Sequence, residues 1–192
     1  MSISSKIVVY DDFLPKNILD AINQELPKLK YYNDKDHPMM EVDKEFITVK
    51  GEHKYAKWPG IRTNSLTLVS PVIDKLILNT LESKKSEFTK NKFTYVNFAH
   101  LRVASDNEED FIHQDEICNF SWLLYMSKTN LNSGTKMYTD CDSNKDKHEY
   151  FVEFVQNRFV LFDSLIPHMA WGNHGKDFRD GRVTINGFCT YV

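Results

Sequence analysis

Glycine and proline are scarce in this sequence, 7 and 6 among 192 residues, and no segment repeats or narrows to a few residue types. That excludes a collagenous or low-complexity chain, and a 41% apolar content excludes global disorder. Long apolar runs are also missing. The two longest, Ile7-Val8-Val9-Tyr10 and Trp122-Leu123-Leu124-Tyr125-Met126, fall far short of the roughly 20 residues that span a bilayer, so no membrane partner is expected. The start, Met1-Ser2-Ile3-Ser4-Ser5-Lys6, has no apolar stretch of the secretory kind, which predicts a cytoplasmic, intracellular protein. Three cysteines, Cys118, Cys141 and Cys189, show no CxxC spacing and argue against a disulfide framework or a zinc ribbon. A net charge of −3 supplies no basic field for phosphate backbones, so nucleic acid is not an expected partner.

What the chain does contain is patterned, over a length that suits one domain. Ile7 to Tyr10 reads as a strand. Pro15 then announces a helix whose apolar face is Ile18, Ile22, Leu26 and Leu29. From 31 to 64 charges, Pro38, Gly51 and Pro59-Gly60 break any period, with one hairpin expected around Phe46 to Val49. Ser70-Pro71 opens a second helix lined by Ile73, Leu76, Ile77, Leu81 and Phe88. From Phe93 the period changes to 2. Strands are expected at 93–103, 111–115, 119–127, 135–139, 149–155, 158–163, 167–171 and 181–191, with Asn132-Ser133-Gly134 as a turn. The fold class is therefore α+β, mainly β: a jelly roll or sandwich of about eight strands, buttressed by the N-terminal helices.

Within the strands, His113-Gln114-Asp115 puts an imidazole and a carboxylate on one face, because alternate strand residues share a side. Chance alone supplies about one His-x-acid pair at this composition. The pair gains meaning from a third group. A non-haem Fe(II) site takes two histidines and one carboxylate and leaves its other positions open. His168 opens a later strand, whereas its rival His174 lies in the turn-like Gly172-Asn173-His174-Gly175, so His168 is the better third ligand. Further on, Arg182 and Thr184 share a face of the last strand. A guanidinium fork beside a hydroxyl suits a buried carboxylate, although Arg182 by itself also fits an ordinary cross-strand ion pair.

His-x-Asp, then His168, then Arg-x-Thr, set in a strand-rich body behind two helices, resembles the Fe(II)/2-oxoglutarate-dependent dioxygenase superfamily, as represented by its small phage or bacterial members of unassigned substrate. The resemblance covers 93–192 and implies a double-stranded β-helix (cupin-like) core there, within a single domain 1–192 whose residues 1–92 form the helical buttress. Trp122 to Ser127 and Asn132-Ser133-Gly134-Thr135 add to it, as does Pro59-Gly60-Ile61-Arg62-Thr63. Thr135 in place of a second glycine, and Arg182 in place of lysine, set the chain apart from collagen-type prolyl hydroxylases. The resemblance implies that His113, Asp115 and His168 bind Fe(II), that Arg182 and Thr184 hold 2-oxoglutarate, and that Tyr95, Asn97 and Tyr125 reach it. It also implies O2 as co-substrate, with ascorbate as an accessory reductant. The expected activity is hydroxylation of a C–H bond of a small molecule or protein side chain, with release of succinate and CO2.

Two alternatives stand beside that activity. One is a non-catalytic cupin-like metal- or ligand-binding module. The other is a nucleic-acid dealkylase, disfavoured because Ile185 to Val192 lack the second arginine of those enzymes. The stretch 31–64, with His37, Tyr55, Trp58 and Arg62, is expected to be a lid over the metal. Trp58, Arg62 and Trp171 are the candidate substrate contacts.

Overall fold

The computed structural model describes residues 6–33, 35–37, 46–49, 52–55, 58–84, 89–106 and 111–192. In chain order its elements are β1 (Ile7–Tyr10), α1 (Lys16–Glu25), β2 (Tyr31–Tyr32), β3 (Phe46–Val49), β4 (Glu52–Tyr55), β5 (Ile61–Thr63), α2 (Leu66–Val69) and α3 (Pro71–Lys84). There follow β6 (Phe93–Arg102), β7 (His113–Gln114), β8 (Phe120–Tyr125), β9 (Asn130–Met137), β10 (Tyr150–Phe154), β11 (Phe159–Asp163), β12 (His168–Trp171) and β13 (Arg182–Tyr191). The protein is mainly β. The larger sheet runs β1-β11-β8-β13-β6-β5-β2 and the smaller β10-β9-β12-β7-β3-β4.

The helices cover one face of the larger sheet. Leu19, Ile22 and Leu26, with Ile73, Ile77 and Leu81 of α3, pack with Ala99, Leu101, Leu124 and Ile185 into one buried cluster. Helix α1 ends sooner than its apolar pattern suggests. Pro27 has no N–H to extend the ladder, so Leu26–Lys28 tightens into a 3-10 turn and Leu29 leaves it in extended conformation. Phe88, expected on the second helix, lies outside the described residues. At the sheet's centre a Cβ on Gly187 would lie 1.9 Å from Trp122 Cε2, so only glycine lets that indole lie across β13.

Two expectations need correction. The stretch 31–64 is less irregular than its composition suggests: β2 and β5 extend the larger sheet beside β6, and the expected hairpin, β3 with β4, adds to the smaller sheet by pairing with β7. Residues before 93 thus add edge strands to both sheets as well as helices. Asn132-Ser133-Gly134 is strand rather than turn. Its turn-forming residues are overruled by neighbours on both sides, because Gly134 pairs with Glu153 of β10 and with Trp171 of β12. No helix among the described residues is long and apolar enough to cross a membrane.

Candidate metal centre and cavity

The β12–β7 ladder sets His168 directly opposite His113, and their ring centroids lie 4.3 Å apart. Asp115 follows β7 immediately. Its Oδ1 lies 3.8 Å from His113 Nε2 and its Oδ2 3.5 Å from His168 Nε2. One ligand atom from each of the three residues falls within 4.8 Å of the others. His174 stays outside this group, its Nδ1 3.2 Å from the Gly172 carbonyl and its ring edge-on to Phe154.

The backbone decides which nitrogens face inward. His113 Nδ1 lies 3.2 Å from the Phe111 carbonyl and His168 Nδ1 2.9 Å from that of Ile166. A carbonyl only accepts, so each Nδ1 carries the proton and each Nε2 turns a lone pair toward Asp115. Burial, and then the neighbouring His113, push His168 down to about 4, which keeps it neutral at physiological pH. Ser121 Oγ donates to Asp115 Oδ2 at 2.6 Å and orients the carboxylate. Two imidazoles and one carboxylate, converging with their second bonds already made, suit a divalent first-row metal such as Fe(II).

These groups line a cavity of about 110 Å³ between the two sheets. Each buried water needs only about 10–15 Å³ by this measure, so the space takes an organic molecule beside an ion. Arg182 lines it too. It is buried, its Nη2 donates to the Gly134 carbonyl at 3.2 Å, and its guanidinium lies 5.6 Å from the Phe154 ring centre. Thr184 shares that face but donates its hydroxyl to Asn186 Oδ1 at 2.7 Å. Tyr125 is fully buried, its hydroxyl 2.8 Å from Thr135 Oγ1 and its ring stacked on Phe154. Trp58 and Arg62 form part of the cavity wall, with the Arg62 guanidinium 3.7 Å above the Trp58 ring.

Three expected contacts lie elsewhere. Tyr95 and Asn97 project from the helix-covered face of β6, where they donate to Asp74 of α3 at 3.1 and 2.8 Å. Expecting them in the cavity mistook the parity of that strand: its cavity-facing residues are His100 and Arg102. Trp171 is on the far side of β12 from His168 and Ala170. It packs with Ile112, Tyr138 and Met169 under the ammonium of Lys136. The sequence reading passed over Ser121, His100, Arg102 and Asn186. Strand alternation counted from Arg182 could have found Asn186, whereas His100 and Arg102 follow only from the β13–β6 register.

No protein-family model matches the chain, and no curated protein matches it in sequence. Solved structures match it by fold. The non-heme alpha ketoglutarate dependent epimerase SnoN from nogalamycin biosynthesis superposes with a TM-score of 0.66 at 9% identity, over 97% of this chain and 76% of that one. A 2OG-Fe(II) oxygenase family oxidoreductase from Burkholderia pseudomallei gives 0.57 at 11% identity, over 97% and 84%. HygX from Streptomyces hygroscopicus, solved with nickel, 2-oxoglutarate and hygromycin B bound, gives 0.58 at 11%, over 96% and 83%. The chain shares the fold of these 2-oxoglutarate and Fe(II) proteins.

Proposed function

We propose that the chain is an Fe(II)- and 2-oxoglutarate-dependent oxygenase that hydroxylates a C–H bond of its substrate. The observation that carries this is the cluster of His113, Asp115 and His168, with both Nδ1 protons tied to backbone carbonyls and the free Nε2 lone pairs aimed at one carboxylate. His113, Asp115 and His168 would hold the iron. Arg182 would hold the far carboxylate of 2-oxoglutarate, with Thr184 beside it. Bound there, iron and 2-oxoglutarate would supply an O2-derived oxidant, with succinate and CO2 as the by-products.

The chain's own residues do the rest. Ser121 holds Asp115 in place, and the buried tyrosine Tyr125 packs close to Arg182, its ring centre 5.9 Å from the guanidinium. Phe162, edge-on to His168 at 4.8 Å, helps keep the cavity dry. We read the alternation of β6 to β13 between the sheets as a double-stranded β-helix, which forms one domain with residues 1–92. Within 31–64, Trp58 and Arg62 are assigned to the substrate side. The hygromycin B bound to HygX and the biosynthetic setting of SnoN support a small-molecule substrate over a protein side chain.

Incubation with Fe(II), 2-oxoglutarate and ascorbate tests this reading. Succinate release that is lost in His168→Ala is expected. Metal binding without succinate release, across a broad substrate screen, would leave the non-catalytic metal-binding module in its place.

A further inference from the structure

Of the three clustered residues only Asp115 lies outside a strand, because β7 ends at Gln114. No ladder therefore sets its place, and a second segment, 163–168, does so instead. Ser164 makes three contacts to the turn that starts at Asp115. Its carbonyl accepts the Asp115 N–H at 2.9 Å, its hydroxyl donates to the Cys118 carbonyl at 2.6 Å, and its N–H donates to the Asn119 carbonyl at 3.4 Å. Beside them, Gln114 Nε2 donates to the Leu165 carbonyl.

The same segment sets His168. The Ile166 N–H returns to the Asp163 carbonyl at 2.9 Å and the Leu165 N–H to the Asp163 carboxylate at 3.0 Å, and the Ile166 carbonyl then takes the His168 Nδ1–H. Any residue at 164 would keep the two backbone contacts; only the bond to Cys118 needs a hydroxyl. Ser164 is 1% exposed, so bulk water does not replace that donor if it is removed. Cys118 is also joined to the carboxylate end of Asp115, since its Sγ lies 3.4 Å from Ser121 Oγ, which donates to Asp115 Oδ2.

We propose that Ser164 is a positioning residue of the metal centre. Its hydroxyl, acting through the Cys118 carbonyl, locks the 115–119 turn onto the segment that carries His168, so that Asp115 and His168 are set as one unit before an ion binds. Ser121 orients the carboxylate, and Ser164 fixes the backbone from which it projects. This rests on the metal-binding part of the oxygenase reading.

Calorimetry with Mn(II), on wild-type protein and on Ser164→Ala, tests it. The variant should bind Mn(II) about 10-fold to 100-fold more weakly, and Ser164→Thr, which keeps the hydroxyl, should recover most of the loss. Co(II) loaded on Ser164→Ala should show shifted d–d bands, the signature of a displaced carboxylate. Asp74→Ala, which lowers stability away from the cluster, should keep Mn(II) affinity within about threefold. The proposal is overturned if Ser164→Ala binds Mn(II) as wild type does, or if Asp74→Ala weakens binding as much as Ser164→Ala, which would make the effect one of stability alone. Hydrogen exchange on metal-free wild-type protein needs no variant to fold. The Asp115 amide should be protected at least about 100-fold, and exchange as fast as that of an exposed turn amide overturns the proposal. Failure of the metal reading shows separately, as wild-type protein that binds no Mn(II).

Discussion

His113 and His168 are direct partners across the β7–β12 ladder, and each donates Nδ1–H to the carbonyl two residues before it in its own chain segment. The sheet register sets their separation, and the local backbone sets their tautomers. Together with Asp115 they offer three donor atoms to one ion. His113→Ala and His168→Ala should each weaken Mn(II) or Fe(II) binding by more than about 100-fold, whereas His174→Ala should change it by less than about threefold. Metal competition titration measures this. A collapse in His174→Ala instead would overturn the choice of third ligand.

Ser121 stands outside the cluster of His113, Asp115 and His168 but fixes the Asp115 carboxylate with a 2.6 Å hydrogen bond. Ser121→Ala should weaken metal binding by about 10-fold to 100-fold with little loss of melting temperature. Equal affinities in wild type and variant would show that the carboxylate holds its orientation by itself.

Arg182→Leu should raise the 2-oxoglutarate requirement well over tenfold, because a buried charge-assisted contact is worth more than about 1.5 kcal/mol. Thr184→Val should do less, since that hydroxyl is already engaged with Asn186. The measurement is the concentration dependence of succinate release, or N-oxalylglycine binding by calorimetry. An unchanged requirement in Arg182→Leu would remove it from the co-substrate site and leave the metal cluster intact.

Asp74 should matter for stability and not for the cavity. It accepts hydrogen bonds from Tyr95 and Asn97 beneath α3, and removing a buried acceptor of this kind costs on the order of 3 kcal/mol. Asp74→Ala and Asn97→Ala should lower the urea midpoint while N-oxalylglycine affinity stays the same. Loss of that affinity at full stability would return Asn97 to the binding site.

Stability of the metal-free protein should fall as pH drops below about 6.5. His168 titrates at about 4 in the fold, lowered by burial and by His113, and His100 is lowered by burial, Arg102 and Arg62. In the unfolded chain both take up protons at the ordinary value, so over this window the unfolded state binds more protons. Stability is therefore fully present above about 6.5 and is lost as pH falls, at up to about 1.4 kcal/mol per pH unit for each histidine. Urea midpoints near pH 7.5 and pH 5 measure it. A midpoint that does not move would mean that the folded state protonates these imidazoles as readily as the unfolded one.

The sequence by itself carried the period-2 strands after Phe93, the two apolar helix faces and the His-x-Asp spacing, because each is a local pattern: alternation and 3.6-residue repeats need no knowledge of partners. It also singled out His168 over His174, since a strand position holds a side chain more firmly than a glycine-flanked turn. Which face of each strand met the helices was decided only by tertiary packing. A strand's two faces are one residue apart, and β6 is ambiguous, with Tyr95 and Asn97 on one side and His100 and Arg102 on the other. The helix-borne Asp74 resolves it, from a separate stretch of the chain. Trp171 went to the outer face of β12 for the same reason. Asn132 to Gly134 read as a turn by composition and became strand because β10 and β12 pair with it on either side. The juxtaposition of Arg102 with Arg182, and of Arg62 with His100, exists only in the sheet register. Such pairs lie far apart along the chain, and only hydrogen bonding between strands decides which residues stand opposite one another.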